Sequence, residues 1–396
     1  MRALIITKIF PNCLEPLSSP FNRLQFAALQ QWCEVEVLAT IPWFPGVSAC
    51  ERWSSAAKLV TVPPQESIDG LRVLHPRFAY LPKVGHAIAG PLYAASLAAA
   101  TLKYQGRVDV VLGSWAYPDG YAAVVLAELL GVPSVIKLHG SDIDVVAQWN
   151  GPRRRMQWAL PRADRVVAVS RSLANAAVAL GVPAERVDLV PNGIDRSVFY
   201  PRDRAEARRI LGLPDRRLLL YVGHLSQNKG ALDLIHAFGT MSHELPDVQL
   251  VMIGDGEGGA ECRRLARDTS ASDRIRFVGP VAHEEIPTWL AACNVLTLPS
   301  WHEGTPNVIL EALASGRCVV ASNVGGIPDV VQGAPHVLVP PRDVGALRRG
   351  LQQALDAQYE PAAISNALAR PDWNGSARQL HQSLLTALSD RAREAA

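Results

Sequence analysis

Two glutamates eight residues apart, Glu303 and Glu311, are the side chains of this sequence best placed to do chemistry. An apolar run, Val295–Leu298, stops at Pro299, a polar loop containing Glu303 follows, and an amphipathic segment begins around Asn307. On one helix, positions eight residues apart differ by about 80°, so one acid is predicted in the loop and the other in the helix's first turns. Carboxylates accept hydrogen bonds from hydroxyl groups, and helix N-termini favour phosphate. The pattern indicates a site for a small, hydroxyl-rich anion such as a nucleotide sugar.

A lysine just before a second predicted helix is another candidate for chemistry. Lys229 directly precedes Gly230, where that helix is expected to begin. A lysine and a helix N-terminus directed at one place form a diphosphate site, which would stabilise the negative charge of a leaving diphosphate. The alternative is an exposed lysine at a helix end, although a cation there opposes the helix dipole.

The string from residue 303 to residue 312, EGTPNVILEA, resembles the E-x7-E signature of family 4 retaining glycosyltransferases of the GT-B fold. The resemblance covers nearly the whole chain, and its other segments are 115–120 (WAYPDG), 139–142 (HGSD), 169–173 (VSRSL), 192–195 (NGID), 222–223 (VG), 229–230 (KG), 254–256 (GDG) and 324–328 (VGGIP). The WAYPDG string and Phe10-Pro11-Asn12 are similar to teichuronic acid and exopolysaccharide biosynthesis enzymes.

This resemblance implies transfer of a hexosyl unit from a nucleoside diphosphate sugar, with uridine favoured as the base, to a hydroxyl acceptor in polysaccharide or glycoconjugate biosynthesis. It implies retention at the anomeric carbon, with no metal and no other cofactor. Alternatives are a nucleotide-sugar epimerase or phosphorylase on the same scaffold, or a non-catalytic sugar-binding protein. A Rossmann dehydrogenase is the least favoured interpretation.

The resemblance also assigns roles to the acidic loop and its surroundings. Glu311 is expected to bind the nucleotide ribose, and Glu303 to contact the donor sugar and take part in catalysis with Lys229 and His139. The remaining donor-binding positions are expected to be the backbone N–H groups of Gly304, Thr305, Asn307 and Val308, together with Gly254 and Val281 at the border of the nucleotide pocket. The alternatives are a solvated loop acid for Glu303 and a dipole-complementing helix acid for Glu311.

His224 is a departure from the family pattern, because most relatives carry arginine at this position of Val222-Gly223-His224-Leu225. Arginine is permanently charged and bidentate, whereas the charge of histidine depends on its surroundings. Either His224 still contacts the donor phosphate, or Lys229 and the helix N-terminus make that contact alone.

His139 follows the apolar run 135–138 and precedes Gly140, so it is predicted at the C-terminal end of a strand. By resemblance this position approaches the donor sugar, and the alternative is a structural histidine. Asp142 is expected to orient His139 or to organise its loop. Asp142 and Asp144 read as a D-x-D pair, but Ile143 is expected to pack inward and no metal site is predicted.

The acceptor is expected to bind in region 40–90, which is predicted to be irregular and contains many aromatic residues. The residues predicted to contact a sugar or lipid-linked acceptor are Trp43, Phe78, Tyr80 and Lys83. Aromatic rings suit sugar faces, and mixed basic and aromatic loops suit membrane surfaces. The prediction therefore includes a peripheral contact with the inner face of a membrane as an alternative.

Composition narrows the class of protein. The 396 residues are 48% hydrophobic and 19% charged, which favours packed cores over disorder. A net charge of +2 does not suit a nucleic-acid binder, so no nucleic acid partner is expected. No run approaches about 18 apolar residues, and the chain enters a predicted strand at its start without the pattern of a signal peptide. A cytoplasmic location is therefore expected.

Strands and helices are predicted to alternate from end to end, which is typical of doubly wound α/β domains. The predicted architecture is two Rossmann-like domains facing one another across a cleft. The N-terminal acceptor-binding domain is predicted to span 1–195 and to include a returning helix within 373–391, and the C-terminal donor domain to span 196–372. Ligands of such sheets bind beyond the C-terminal ends of the strands.

Overall fold

The computed structural model describes residues 1–47, 55–80 and 88–394, and the chain divides into two compact units. The first unit comprises Met1–Gly193 and Pro371–Ala396, and the second comprises Ile194–Arg370. Each unit is an α/β domain built on a predominantly parallel sheet. None of the helices in the described ranges is long and apolar enough to cross a membrane.

The strands at the centre of the first unit's sheet are mostly apolar along their whole length, as expected for parallel strands that are covered on both faces. The described part of this unit contains ten strands. They are β1 (Arg2–Thr7), β2 (Glu34–Ala39), β3 (Ile41–Trp43), β4 (Gln65–Ile68), β5 (Leu71–Leu74), β6 (Arg77–Ala79), β7 (Val110–Ser114), β8 (Ser134–Leu138), β9 (Arg165–Ala168) and β10 (Val187–Leu189). Eight of them form one sheet in the order β10-β9-β8-β7-β1-β2-β5-β4, while β3 and β6 form a separate parallel pair. Every pairing in the large sheet is parallel except that of β4 with β5.

Helices connect these strands. They are α1 (Pro20–Leu29), α2 (Ser55–Lys58), α3 (Ala89–Thr101), α4 (Tyr121–Leu130), α5 (Ser141–Asp144), α6 (Asn150–Ala159) and α7 (Arg171–Ala179). Local sequence sets some of the ends: Ser170 Oγ accepts a hydrogen bond from Leu173 N at the start of α7, and α4 ends at Gly131 with φ 72°. Serine is a preferred N-cap residue, and glycine adopts positive φ without strain.

The expectation of irregular structure across residues 40–90 was wrong for much of this region, because it contains β3 to β6. The hairpin of β4 and β5 turns at Asp69 and Gly70, whose φ angles are 50° and 79°. An Asp-Gly pair with positive φ at both positions is a preferred two-residue hairpin turn. This turn fixes the register in which Ile68 pairs with Leu71.

The second unit has a six-stranded parallel sheet. Its strands are β11 (Arg217–Val222), β12 (Val248–Ile253), β13 (Ile275–Gly279), β14 (Val295–Leu298), β15 (Cys318–Ser322) and β16 (His336–Val339). Its helices are α8 (Arg204–Ile210), α9 (Ala231–Met241), α10 (Gly259–Arg267), α11 (Ile286–Ala292), α12 (Asn307–Ala314), α13 (Ile327–Val331), α14 (Val344–Asp356) and α15 (Pro361–Ala367). The strand order is β13-β12-β11-β14-β15-β16, so the winding reverses between β11 and β14.

The last helix, α16 (Trp373–Glu394), belongs to the first unit and packs against α1. Its apolar side, which includes Leu380 and Leu384, is buried in the same core as Phe26. A polar contact also fixes the return, because Ser376 Oγ donates to Pro191 O at 2.6 Å. The C-terminal segment is therefore an integral part of the first unit.

Candidate active site

The site in the second unit lies where its sheet changes winding direction. The loop after β11 leads to α9 and carries Lys229, and the loop after β14 leads to α12 and carries Glu303. The two loops are joined by a hydrogen bond from Trp301 N to Asn228 O at 2.8 Å. Gly230 has φ 67°, and a Cβ at this position would lie 2.0 Å from Pro299 O, so only glycine allows this approach. Crevices of this kind are where open α/β sheets bind ligands.

Lys229 and Glu303 are in direct contact. Lys229 Nζ donates to Glu303 Oε1 at 2.7 Å, and Ser300 Oγ donates to the same oxygen at 2.7 Å. The side chain of Lys229 is 34% exposed and that of Glu303 is 9% exposed. Burial and, to a smaller extent, the charge of Glu303 raise the pKa of the Tyr221 phenol. The carboxylate is therefore held from two sides, while the cation keeps an accessible face.

The backbone around Glu303 is fixed by the loop that follows β15. Gly326 N donates to Gly304 O at 2.8 Å. Gly325 has φ 54°, and a Cβ there would lie 1.6 Å from Glu303 O. On the other side of the loop, the Trp301 indole donates to Asp233 Oδ2 at 2.8 Å. These contacts leave the Glu303 backbone little freedom to move.

Glu311 has a partner that the sequence did not suggest. It lies in the second turn of α12, and its Oε1 is 2.9 Å from His283 Nε2. The side chains of His283 and Glu311 are 25% and 11% exposed. The His283 ring also packs beside Phe199, with ring centroids 5.5 Å apart.

The predicted backbone donors lie at the start of α12 and in the loop just before it. Pro306 precedes the helix and makes no side-chain capping hydrogen bond. Thr305, Asn307 and Val308 are half-buried around this first turn, and Gly304 is buried. The predicted backbone positions thus cluster between Glu303 and Glu311.

The glycine-containing loop after β12 packs against the loop after β11. Gly254 has φ 124°, and a Cβ there would lie 2.0 Å from Gly223 O. Leu225 N donates to Asp255 O at 3.0 Å, and Gly258 N donates to Leu225 O at 2.8 Å. The glycines at 254 and 258 therefore permit close packing of two loops. Val281, a second predicted border residue, is half-buried just after β13.

His224 lies at the surface of this loop pair. Its Nε2 is 2.5 Å from Glu257 Oε2, and the two side chains are 57% and 74% exposed. A backbone hydrogen bond and His224 lower the pKa of Glu257. The histidine that replaces the family arginine is thus paired with an exposed acid.

His139 belongs to the first unit, where it follows β8. Ser114 Oγ is 2.9 Å from His139 Nε2, and the ring lies 5.1 Å from Phe21 and 5.9 Å from Trp115. Burial and, to a smaller extent, Lys137 hold the pKa of His139 well below its usual value. The imidazole is therefore neutral at physiological pH, where it acts as a hydrogen-bonding group.

Asp142 organises the loop that carries His139. Its carboxylate accepts hydrogen bonds from the backbone N–H groups of Ala116, His139, Gly140 and Ile143 at 2.7–3.2 Å. Ile143 is buried, as predicted. Among the described residues, no group of three or more His, Cys, Asp or Glu side chains is arranged to hold a metal ion.

The predicted acceptor residues differ in their exposure to solvent. Trp43 is exposed on β3 and Tyr80 is half-buried after β6. Phe78 is buried, and its ring makes an edge contact with Tyr93 at 4.8 Å, so it serves the core and its ring is not open to a sugar. Lys83 lies outside the described residues.

The sequence matches two families. Residues 28–198 match glycosyltransferase family 4, and residues 216–357 match the glycosyl transferases group 1. D-inositol 3-phosphate glycosyltransferase of Thermobispora bispora is 32% identical over 307 residues, which are 72% of each chain. TuaC of Bacillus subtilis, provisionally named a teichuronic acid biosynthesis glycosyltransferase, is 28% identical over 98% of each chain.

Solved structures agree on the fold. HepE of Anabaena, solved in complex with UDP, aligns with a TM-score of 0.75 at 21% identity, covering 97% of this chain and 100% of HepE. Sucrose-phosphate synthase of Thermosynechococcus elongatus aligns with a TM-score of 0.72 at 22% identity, covering 100% of this chain and 98% of that chain. The fold and the site thus define a glycosyltransferase. The chain belongs to glycosyltransferase family 4, and its Rossmann-like units are those of the GT-B fold.

Proposed function

We propose that this glycosyltransferase moves a hexosyl unit from a nucleoside diphosphate sugar, with UDP as the carrier, to a hydroxyl acceptor with retention at the anomeric carbon. The observation that carries the proposal is the contact of Lys229 with Glu303 between the starts of α9 and α12. It joins a cation suited to a diphosphate and an acid suited to sugar hydroxyls. The complexes of HepE with UDP and with UDP-glucose support uridine as the donor base.

The donor contacts follow from the geometry of these groups. The accessible Nζ of Lys229 contacts the donor diphosphate and stabilises the charge that develops as it leaves. Ser300 keeps its hydrogen bond to Glu303, so the carboxylate stays in position beside the sugar when Lys229 turns to phosphate. Glu311 accepts the ribose hydroxyls of the donor.

The reaction itself needs no protein nucleophile and no metal in this proposal. The acceptor hydroxyl attacks the face from which the diphosphate departs, and its proton passes to the departing diphosphate. Lys229 and the N-terminal ends of α9 and α12 supply the positive potential that a metal supplies in other transferases.

The acceptor is a sugar or a lipid-linked sugar of a polysaccharide pathway in this proposal. The name of TuaC, with which the chain aligns from end to end, supports a cell-surface polysaccharide. Trp43 offers an exposed ring for an acceptor sugar. Tyr80 directly follows β6 and donates its backbone N–H to Trp43 O at 2.8 Å. A peripheral contact with the inner face of a membrane would bring a lipid-linked acceptor to the enzyme.

Calorimetric titration of the purified protein with UDP, GDP, ADP and NAD in EDTA tests the donor site. We expect UDP to bind, and Glu311→Ala to weaken it at least about tenfold, because hydrogen bonds to a charged group are lost. Glu261→Ala, which changes an exposed glutamate of α10, is the matched control and should leave UDP binding unchanged. Binding of NAD alone, or of no nucleotide by folded protein, would contradict the proposal.

The stereochemical part has its own test. Proton NMR of the product formed from UDP-α-glucose or another UDP-α-hexose should show an α linkage at first appearance, or an α-configured free sugar when water is the only acceptor. A β product would overturn retention. Release of sugar phosphate only when phosphate is added would identify a phosphorylase instead.

A further inference from the structure

We propose that His283 is a positioning residue for the donor nucleotide, which holds the carboxylate of Glu311 in the orientation that accepts the ribose hydroxyls. The inference rests on the proposed function, because it requires a nucleotide at Glu311. His283 lies in none of the sequence segments that carry the family resemblance. His283 is outside the E-x7-E string and two residues beyond Val281.

The contact joins two separate elements of the second unit. His283 begins the short 3-10 turn His283–Glu285 between β13 and α11, and Glu311 lies on α12. The 2.9 Å distance from His283 Nε2 to Glu311 Oε1 therefore ties this turn to the helix that carries the motif acid. The buried ring of Phe199 packs beside the imidazole, with ring centroids 5.5 Å apart, and restricts the positions open to it.

The distribution of hydrogen bonds on Glu311 fits a ligand with two adjacent hydroxyls. Oε1 is bonded to His283, and Oε2 has no hydrogen-bond partner among the described residues. A carboxylate has about four acceptor sites, so Oε2 and the second lone pair of Oε1 remain for the ribose hydroxyls. His283 Nε2 can carry the required proton in either protonation state of the ring.

Positioning matters because glutamate is flexible. A free glutamate side chain samples several rotamers, and selecting one of them on binding weakens affinity. The bond to His283 selects the rotamer before the ligand arrives. Removing His283 should therefore weaken only those ligands that have hydroxyls for Glu311 to bind.

The experiment compares UDP with 2′,3′-dideoxy-UDP by calorimetry. In the wild-type protein we expect dideoxy-UDP to bind at least about tenfold more weakly than UDP. In His283→Ala, UDP should weaken about tenfold while dideoxy-UDP changes less than about twofold. In steady-state assays, the donor KM should rise by the same factor and kcat should change less than about twofold.

A matched pair of amides separates the bond from the loss of bulk. The amide nitrogen of glutamine occupies the place of His Nε2, so His283→Gln should bind UDP within about threefold of wild type. The amide of asparagine is one methylene too short, so His283→Asn should behave like the alanine variant. His243→Ala, which removes an exposed histidine of the same unit, should change nothing.

The outcomes separate this inference from the proposed function. If His283→Ala weakens UDP and dideoxy-UDP equally, His283 has only a structural role and the inference is overturned, while the donor site stands. If the wild-type protein does not bind UDP, the proposed donor fails and the inference fails with it. Unfolding of the alanine variant leaves the glutamine and asparagine pair to decide, because equal affinities in that pair also overturn the inference.

Discussion

Each unit of this protein has a lysine at or beyond the C-terminal end of a parallel strand, but the surroundings of the two charges are opposite in kind. In the second unit, Lys229 follows β11 and is 34% exposed, with the carboxylate of Glu303 as its partner. In the first unit, Lys137 is fully buried within β8, and its Nζ donates to the neutral Gln25 Oε1 at 2.5 Å. The first lysine is available to a ligand, and the second is enclosed by the fold.

The carboxylates show the same contrast. Asp142 of the first unit is bound by backbone N–H groups, which the chain itself holds in place. Glu303 of the second unit is bound by the side chains of Lys229 and Ser300. Side-chain donors can turn to a ligand, whereas backbone donors of a fixed loop cannot. An acid near a strand end is therefore a candidate for ligand binding only when its partners can be exchanged.

The largest expected effect comes from removing the accessible lysine. Lys229→Met should lower kcat/KM for the UDP-sugar about a thousandfold, because the charge that develops on the leaving diphosphate loses its cation. The urea unfolding midpoint should change little, because Lys229 is partly exposed and Glu303 keeps its hydrogen bond from Ser300. Initial-rate assays of UDP release and urea titrations measure the two quantities.

The matched control is the same substitution at a lysine that is exposed and outside the site. Lys103→Met changes such a residue in the first unit and should leave both measurements unchanged. A Lys229→Met protein that retains more than about a tenth of the wild-type rate would break the comparison, since Lys229 would then be as dispensable as Lys103.

The second-largest expected effect is a gain of stability when the enclosed Lys137 is replaced. Burial lowers the pKa of Lys137 to about 7 from its usual 10.5. Between these values the unfolded chain binds a proton that the folded chain does not, so this lysine makes stability rise with pH from about 7 to about 10.5. Lys137→Met should therefore stabilise the protein by about 2 kcal/mol at and below pH 7. Above pH 7 the difference should fall by about 1.4 kcal/mol per pH unit, so that the variant becomes the less stable protein near pH 9.5.

Urea unfolding at several pH values between 6 and 9.5, compared with wild type, measures this gain. Methionine keeps the length of the side chain, so loss of packing next to Phe26 stays small. A gain that is equal at every pH would show that packing, and not the buried charge, causes the stability difference between Lys137→Met and wild type. A loss of stability already at pH 6 would mean that the bond to Gln25 outweighs the cost of burial.

Much of the fold follows from the sequence because parallel strands leave a plain pattern. The apolar runs Val295–Leu298 and 135–138 coincide with β14 and β8 to within one residue. Strands that lack such a run are short or lie at sheet edges. β16 is four residues long and is bracketed by Pro335 and Pro340, and β4 is an edge strand with alternating exposure. The Asp69-Gly70 turn was a readable hairpin signal within an otherwise irregular region.

The site was predictable only in part. The motif located Glu303 and Glu311, and the expected helix start after Lys229 led to the prediction of a diphosphate site there. Their partners were not predictable, because the contact of His283 with Glu311 joins residues 28 positions apart and depends on how a turn packs against α12. No periodicity or spacing encodes such a contact. Gly254 was predicted to border the nucleotide pocket, but packing against Gly223 is enough to explain its conformation.

The smallest expected effect is at His224, where the chain departs from its family. Its pairing with Glu257 at the surface is weak in water, so His224→Ala should lower UDP affinity less than about threefold. His224→Arg should raise the affinity about threefold, because a permanent cation replaces a histidine shared with an acid, and the gain should fade in high salt. Glu257→Ala is the informative control: if His224 contacts phosphate, releasing it from Glu257 should raise UDP affinity. A drop of a hundredfold or more in His224→Ala would instead place this histidine beside Lys229, and the charge of the second unit would then be shared between two loops.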